Sequence, residues 1–244
     1  MRHHLQQMYG GVSVSHSFEM GNQVFDCVPI YSQLGVRLQG LKNIATPPPF
    51  PPYVARFAPQ TGVPTPQVTE NASDKPDIFG NKERCETGTI ALRRLTFDEL
   101  SRFATLRQFF QKSLFDHRKN SITPPSTNNH AYAHAVQNVS NWGGYGVLNL
   151  WSPSVNILTQ TFSLSQEWYV GGTGKNIQTA ETGWQNYPWK YFSESSRLFI
   201  YWTADDYNKT GCYNLDCAAF VQTNNTWILG GAFSNYSTLS CCRF

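Results

Sequence analysis

The tryptophans and prolines of this 244-residue chain are concentrated in different parts of the sequence. Twelve of the 14 prolines lie at or before Pro125, whereas all 7 tryptophans lie between Trp142 and Trp227. Two regions with different roles are therefore expected. The front 125 residues carry an excess of basic side chains and the remaining residues a slight acidic excess. This charge division is compatible with docking of one half on the other, or with two separately solvated surfaces.

The overall composition excludes several classes of protein. Apolar residues make up 40% of the chain and aromatic residues 14%, which is enough for a packed core. No stretch approaches the roughly 18 consecutive apolar residues of a membrane span, and residues 1–8 contain no apolar run typical of an export signal. The net charge is only +3 and the basic residues form no dense block. Neither a membrane nor a nucleic acid is therefore an expected partner.

The front half is predicted to contain a short sheet and one helix. A strand-like run spans residues 24–31, and a second ordered patch runs over residues 85–95. Thr96 lies three residues before Glu99, which is the spacing of a capping box, and apolar residues follow at intervals of three and four. This pattern predicts a single helix over residues 97–114.

The back half shows the period of two that is typical of strands. Apolar side chains alternate with polar ones over residues 162–170. Further strands are predicted at residues 146–151, 177–187, 197–203, 218–223 and 226–233. Asn224-Asn225 would form the tight turn between the last two. Short strands with no helix between them favour a mainly β fold, an antiparallel β-sandwich, behind the Pro-rich front region.

Six cysteines indicate an oxidising environment. Cys212 and Cys217 are separated by four residues, which allows a disulfide across a tight turn. A zinc site would need a second pair of ligands at matching spacing, and the sequence has none. Cys27 and Cys85 are candidates for a second disulfide, whereas Cys241-Cys242 suggests no pairing.

Two further patterns concern modification and metal binding. Five Asn-x-Ser/Thr triplets, which are candidate glycosylation sites, begin at Asn71, Asn138, Asn208, Asn224 and Asn235. His130 and His134 lie four residues apart, a spacing that can hold zinc on a helix. The intervening residues include no glutamate, however, and the region leads into strands. We therefore expect a structural or surface role for both histidines and predict no metal.

Carboxylates are the remaining candidates for chemistry, because serine and cysteine protease patterns are missing. Two facing acids can share a proton, so that one activates water and the other protonates the leaving group. Glu167 is predicted to face solvent, opposite the apolar side of its strand, and Glu194 lies in a polar loop. Glu181 lies mid-strand beside Gly183, which would leave room for a substrate backbone. The alternative for such a mid-strand glutamate is a solvent-facing position.

Several segments occur in an order that resembles the neprosin family of glutamic endopeptidases. In the back half they are residues 143–151, 162–166, 180–185, 199–205, 210–217 and 219–223. The front half is similar to the pro-region of that family at residues 26–31 and 85–94. The resemblance extends over nearly the whole chain, to about residue 236.

The resemblance implies a secreted zymogen that cleaves peptides next to proline in acid, without metal or cofactor. Residues 1–125 would be the pro-region and residues 126–244 the catalytic β-sandwich. In the Glu-x-Gly-Trp motif, Glu181 would be the first of two catalytic glutamates. The residues that follow it, Gly183, Trp184 and Gln185, are the candidate substrate-binding residues. The resemblance also matches Cys212–Cys217 to a family disulfide. The expected partners are a proline-containing peptide or protein and the chain's own pro-region, docked on the sandwich.

The family's second catalytic glutamate lies in a Gly-Gly-Glu motif on a later strand. Here Gly230-Gly231 is followed by Ala232 and belongs to the earlier predicted hairpin, and residues 240–244 match nothing in the family. We therefore expect a C-terminally truncated catalytic domain, an incomplete sandwich of marginal stability, with weak or no activity. One alternative is a non-catalytic binding module for polysaccharide or proline-rich chains. Another is a pro-region that inhibits an intact relative.

Overall fold

The computed structural model of the protein describes residues 1–45, 79–80, 83–112, 131–141, 143–144 and 146–238. In these ranges the strands are β1 (His16–Met20), β2 (Gln23–Pro29), β3 (Thr89–Arg93), β4 (Ser163–Gly171), β5 (Gln178–Asn186), β6 (Arg197–Thr203) and β7 (Cys212–Tyr213). The α-helices are α1 (Arg2–Tyr9), α2 (Leu34–Gln39), α3 (Phe97–Ser101), α4 (Leu106–Phe110) and α5 (Pro188–Tyr191). No helix in the described part of the chain is long and apolar enough to cross a membrane.

Some sequence predictions concern residues outside the described ranges. They are the glycosylation site at Asn71, the histidine His130, the cysteine pair Cys241-Cys242 and the boundary between residues 125 and 126. These predictions stay untested.

The predicted short sheet of the front half is confirmed as a three-stranded antiparallel sheet in the order β1-β2-β3. Gly21 and Asn22 connect β1 to β2, and Gly21 has a φ of 63°, a conformation that favours glycine at the first position of a hairpin turn. The Asn22 amide donates to the carbonyl of Tyr191 in the back half, at 3.0 Å. The predicted Cys27–Cys85 disulfide is confirmed and joins β2 to the segment before β3.

The prediction of one helix over residues 97–114 is wrong, because the chain forms two separate short helices there. The first capping box is present as predicted, with Thr96 accepting from the backbone of Glu99. A second capping box, between Thr105 and Gln108, starts α4 after α3 has ended. The sequence Thr-x-x-Gln has the same spacing as Thr-x-x-Glu and is the signal that divides the helix.

The back half contains a four-stranded antiparallel sheet in the order β4-β5-β6-β7. The strands predicted over residues 162–170, 177–187 and 197–203 are confirmed as β4, β5 and β6. In the register of this sheet, Trp168 pairs with Glu181 and Glu181 pairs with Tyr201. Residues that pair directly across strands share one face of a sheet. These three side chains therefore belong to the same face.

The strand predicted over residues 146–151 is wrong. This segment is irregular, and several of its backbone groups bond to distant side chains and to Ser237 rather than to a neighbouring strand. The indole N–H of Trp184 donates to the carbonyl of Asn149 at 2.7 Å. The hydroxyl of Ser196 donates to the carbonyl of Trp151 at 2.6 Å. Because long-range side chains supply these partners, local alternation in the sequence cannot reveal them.

The strand predicted over residues 218–223 is also wrong, for a similar reason. The side-chain amide of Gln33 donates to the carbonyl of Gln222 at 2.7 Å, and its oxygen accepts from the Gln222 N–H at 2.8 Å. A front-half side chain thus takes the place that a strand neighbour would occupy. Gln39 likewise donates to the carbonyl of Ala218 at 2.9 Å.

The predicted hairpin with a strand at residues 226–233 is wrong as well. The side chain of Asn224 accepts from the backbone of Thr226 at 2.7 Å, which forms a local turn, and a single bridge pairs Arg197 with Ala232. The fold class is therefore confirmed as two antiparallel sheets with few helices, whereas the predicted sandwich is not shown.

The front and back halves pack against each other through a common hydrophobic core. Leu92 and Phe109 from the front half belong to the same buried cluster as Leu215 and Leu229 from the back half. Such shared burial removes apolar surface of both halves from water, which stabilises their association by about 25 cal/mol per Å² of apolar area. Described residues on both sides of the chain's midpoint therefore share one buried core.

A buried ionic cluster lies at the same contact between the halves. Arg93 is 2.7 Å from Glu99, both in the front half, and 3.7 Å from Asp216 in the back half. The ammonium of Lys190 lies 3.0 Å from the second oxygen of Asp216. Two cations are thus matched by two carboxylates, with exposed fractions of 7% or less for all four side chains. This pairing offsets part of the cost of removing the four charges from water.

Unfolding at alkaline pH is expected to report on Lys190. Burial lowers the pKa of Lys190 from 10.5 to about 8, although Asp216 opposes this change. Between these two values the unfolded chain holds a proton that the folded chain has lost, so raising the pH stabilises the fold. The buried tyrosines act oppositely above about pH 10, because burial raises the pKa of groups such as Tyr187 and Tyr191.

The measurement is urea unfolding between pH 8 and pH 10, where we expect the unfolding free energy to rise by at most about 1.4 kcal/mol per pH unit. Lys190→Met should remove this rise, and the exposed Lys175→Met should retain it. A fall in stability across this window in the unmodified chain would contradict the assignment.

Candidate active site

The site is organised around the carboxylate of Glu181, in the middle of β5. Glu181 is 3% exposed. Its Oε1 atom accepts from the hydroxyl of Thr179 at 3.0 Å and from the hydroxyl of Tyr207 at 2.7 Å. Thr179 lies two residues earlier on the same strand, and Tyr207 lies in the loop after β6. Two donors on one oxygen fix the plane of the carboxylate and leave Oε2 for other partners.

The second oxygen of Glu181 is held by a lysine from the front half. The Nζ atom of Lys112 forms an ion pair with Oε2 of Glu181 and also donates to Oε1 of Gln166. The side chain of Lys112 is 8% exposed, so this pair is shielded from water. Burial lowers the pKa of Lys112, whereas the Glu181 carboxylate opposes that change. The neighbouring carboxylate thus favours the charged ammonium, in opposition to burial.

Aromatic rings enclose the ammonium of Lys112. Its Nζ lies 5.0 Å from the ring centroid of Phe199 and 5.8 Å from that of Tyr201, within the range of a cation–π attraction. The Tyr201 hydroxyl accepts from the backbone N–H of Lys112 at 3.1 Å. Burial, with a further contribution from Glu181, raises the pKa values of Tyr201 and Tyr207. Both phenols therefore stay protonated at neutral and acidic pH.

The rim of the site on the side of β4 is aromatic and exposed. Trp168 pairs with Glu181 in the register and is 47% exposed. Tyr132 is also exposed. Partial desolvation and, to a smaller extent, the negative charge of Glu181 raise the pKa of the Tyr132 hydroxyl. The Tyr132 ring therefore lies within electrostatic range of the carboxylate. The buried acid is thus bordered by the exposed Trp168, and Tyr132 lies within range of its charge.

Comparison with known families bears on the part of the chain that holds Glu181. The Neprosin family model matches residues 159–242. This part of the chain is a Neprosin domain. It includes all four strands of the back sheet and the candidate carboxylate, whereas Lys112 lies ahead of it. The ion pair between Lys112 and Glu181 thus joins the Neprosin domain to a segment outside the match.

The structure separates the predicted substrate-binding residues of the Neprosin domain from one another. Trp184 lies on the face opposite Glu181 and is buried there. Gln185 shares the face of Glu181 but is fully buried and donates to the hydroxyl of Tyr213 at 3.1 Å. Neither side chain contacts the Glu181 carboxylate in the contacts found among the described residues. Their roles in binding substrate stay predictions.

Gly183 allows the neighbouring strand β4 to approach β5 closely, and it does not leave an open space on that side. A Cβ atom on Gly183 would lie 2.1 Å from the carbonyl oxygen of Ser165 and 2.7 Å from the Cα atom of Gln166. Any side chain at this position would push β4 away from β5. The backbone that Gly183 accommodates on this side is therefore that of β4.

Glu167 and Glu194 differ in how well they match their predictions. Glu194 is exposed in a loop, as predicted. Glu167 is half-buried rather than directed to solvent, and accepts from the hydroxyl of Tyr169. It lines an apolar cavity of about 600 Å³ on the sheet face opposite Glu181, together with Trp184. Gly144, Gly146, Leu148 and Leu150 line the cavity on this face, which alternation within β4 alone could not indicate.

The Cys212–Cys217 disulfide is confirmed and closes a short loop at the edge of the Neprosin domain. Tyr213, inside this loop, is fully buried and packs against the ring of Tyr201 at a centroid distance of 4.8 Å. Tyr201 in turn contacts Lys112. The disulfide therefore supports one wall of the site without touching Glu181.

The other candidate residues make no contact with the Glu181 carboxylate among the contacts found in the described ranges. The sequon asparagines Asn138, Asn208 and Asn235 are exposed, and Asn224 is partly buried. His134 is exposed. Among the described residues, no group of three or more His, Cys, Asp or Glu side chains is arranged to hold a metal ion.

Three residues of the site around Glu181 were not singled out from the sequence. Gln166 occurs at an otherwise apolar set of alternating positions in β4, and this break in pattern is a signal that could have identified it. Tyr207 lies in a loop, and Lys112 lies just after the end of α4. No local pattern at either place indicates a contact with β5. Only the tertiary fold brings them together with Glu181.

Proposed function

We propose that this chain is the precursor of a Neprosin-family endopeptidase that hydrolyses peptide bonds next to proline at acidic pH. The observation that carries this proposal is the carboxylate of Glu181. Two hydroxyls donate to its Oε1 atom and orient it, so that Oε2, which Lys112 binds, is the oxygen left to react. A carboxylate held in this way can take a proton from water and return it to the leaving amine. The scheme requires neither a metal nor a cofactor.

The aromatic rim supports a proline-containing substrate. Trp168, which pairs with Glu181 in the sheet, and Tyr132, which lies within range of its charge, both present rings to solvent. The flat ring of a tryptophan or tyrosine packs well against the pyrrolidine ring, and proline-rich chains are already extended before binding. These two side chains are our candidates for contacting the substrate next to its scissile bond.

We assign residues 1–125 to the pro-region and residues 126–244 to the catalytic part. Support comes from Lys112, which lies ahead of the Neprosin domain and occupies Oε2 of Glu181. A pro-region that binds the catalytic carboxylate keeps the enzyme latent while it is in place. The disulfides and the exposed sequon asparagines support a secreted protein, because both features belong to the oxidising secretory route.

We expect the chain to be weakly active as it stands. Lys112 engages the reactive oxygen of Glu181. Glu167 lies on the opposite face of the sheet, and Gly230-Gly231 is followed by Ala232. Among the described residues, neither Glu167 nor the Gly230-Gly231 segment therefore places a second glutamate beside Glu181.

The test is hydrolysis of a proline-containing peptide by the purified chain at acidic pH, followed by mass spectrometry over long incubation. We expect slow cleavage next to proline, reduced about 100-fold or more in Glu181→Gln because the base is lost. Glu194→Gln, an exposed loop variant, is the matched control and should cleave like the unmodified chain. Cleavage that survives Glu181→Gln would overturn the role of Glu181.

A non-catalytic binding module is the second candidate, favoured by the exposure of Trp168 and Trp227 at 47% and 45%. Exposed tryptophans can stack on sugar rings or on proline. Saturable binding of a proline-rich peptide or a polysaccharide, with no cleavage in the same assay, would favour this function over the peptidase.

A further inference from the structure

The ammonium of Lys112 lies between two acceptors that come from neighbouring strands. One acceptor is Oε2 of Glu181 on β5 and the other is Oε1 of Gln166 on β4. Gln166 pairs with Gly183 in the register, two residues along from Glu181, so both side chains lie on the same face. The two oxygens therefore converge on a single point, which the Nζ atom occupies.

A water molecule fits the same arrangement of acceptors. Water has two O–H donors, and the point between Oε2 of Glu181 and Oε1 of Gln166 offers one acceptor to each. The other oxygen of Glu181 is already engaged by Thr179 and Tyr207. A water molecule that replaced the ammonium would thus be held by one base and one neutral acceptor, with its lone pairs directed away from both.

The surroundings of Gln166 favour a functional role for its amide. It is a polar residue between Leu164 and Trp168 on the side of β4 that otherwise carries apolar side chains. The hydrogen bond found for its side chain is the one with Lys112. Its cross-strand partner is Gly183, and any Cβ atom there would press on the Cα atom of Gln166. The pair of Gln166 and Gly183 therefore sets where the amide lies over the sheet.

We propose that Gln166 is a further catalytic residue, which accepts a hydrogen bond from the attacking water while Glu181 deprotonates it. This inference rests on the proposed function. In the step, one water proton passes to Oε2 of Glu181 as the water oxygen bonds to the carbonyl carbon. The C–N bond then breaks and the same proton passes from Glu181 to the leaving amine. Gln166 exchanges no proton, and Lys112 occupies the water position until it is displaced.

The test uses the full chain with Lys112→Ala, which opens the position between the two acceptors. In that background, Gln166→Ala should lower kcat about 100-fold while KM changes less than about threefold, because the side chain contacts the water rather than the peptide. Gln178→Ala, an exposed glutamine on the opposite face of β5, is the matched control and should leave both constants unchanged. Melting of each variant establishes that the fold is retained.

A conservative variant separates this role from a structural one. Gln166→Glu in the same background should restore at least a tenth of kcat, since a carboxylate also accepts from water. Its pH–rate profile should gain an additional ionisation that Gln166 cannot provide. A crystal structure of the Lys112→Ala chain should show a solvent molecule within hydrogen-bond distance of both oxygens.

The outcomes distinguish the inference from the function on which it rests. If Lys112→Ala cleaves the peptide and Gln166→Ala cleaves it equally well, the role of Gln166 is wrong and the peptidase stands. A crystal structure with no solvent molecule at the shared point likewise overturns the role of Gln166. If Lys112→Ala cleaves nothing, the proposed function is overturned and the role of Gln166 with it.

Discussion

Replacing Lys112 by alanine is expected to raise the rate of cleavage next to proline by about 100-fold at acidic pH. A 100-fold change corresponds to about 2.7 kcal/mol. A shielded ion pair with additional hydrogen bonds is expected to oppose the binding of water to Oε2 by a free energy of this size. The rise follows because Oε2 of Glu181 becomes available to water once the ammonium is removed. The measurement is the initial rate with the same proline-containing peptide.

Two variants make the effect of Lys112→Ala specific. Lys175→Ala removes an exposed lysine of the Neprosin domain and should leave the rate unchanged. The double variant Lys112→Ala with Glu181→Gln should return to the background rate, because the carboxylate that was released is no longer present. An unchanged rate in Lys112→Ala would show that this lysine does not limit access to Glu181.

Asp216→Asn is expected to destabilise the fold by about 3–5 kcal/mol, which is typical of removing one member of a buried charge pair. The carboxylate lies 3.0 Å from Lys190 and 3.7 Å from Arg93, and the amide would leave both cations with one negative partner fewer. Lys190 is only 1% exposed and cannot reach water instead. Urea unfolding at pH 7 measures the loss.

Asp206→Asn is the control for this prediction, since Asp206 is exposed in the loop after β6. It should change the unfolding free energy by less than about 0.5 kcal/mol. Because the cluster joins both halves, fluorescence of the back-half tryptophans and far-UV circular dichroism should report the same midpoint in Asp216→Asn. Separate midpoints would mean that the halves unfold independently.

The sequence predicted the strands that are stabilised by regular pairing. The strands predicted over residues 162–170 and 197–203 correspond to β4 and β6, whose residues have ladder partners. The segment 146–151 shows similar local properties but takes its partners from Trp184, Ser196 and Ser237. Local pattern carries no information about such distant donors, so the prediction failed there.

The part of the candidate site that lies on β5 was predicted from the sequence. Glu181 was identified from its place within β5 and from its motif, and the structure places it buried among polar partners. Lys112 was not identified, because it lies 69 residues away from Glu181 in sequence. The predicted helix over 97–114 would also have directed the chain differently, and its division at Thr105 decides where Lys112 emerges.

The attachment of Lys112 to the same chain as Glu181 has a consequence for inhibitors. A covalently tethered group acts at an effective concentration in the millimolar range when its linker fits the distance. Phe109, three residues before Lys112, is fixed in the shared core and holds that tether in place. A free amine or basic peptide must therefore outcompete an occupant that dilution cannot remove, and sample concentration alone should not alter the latency of the chain.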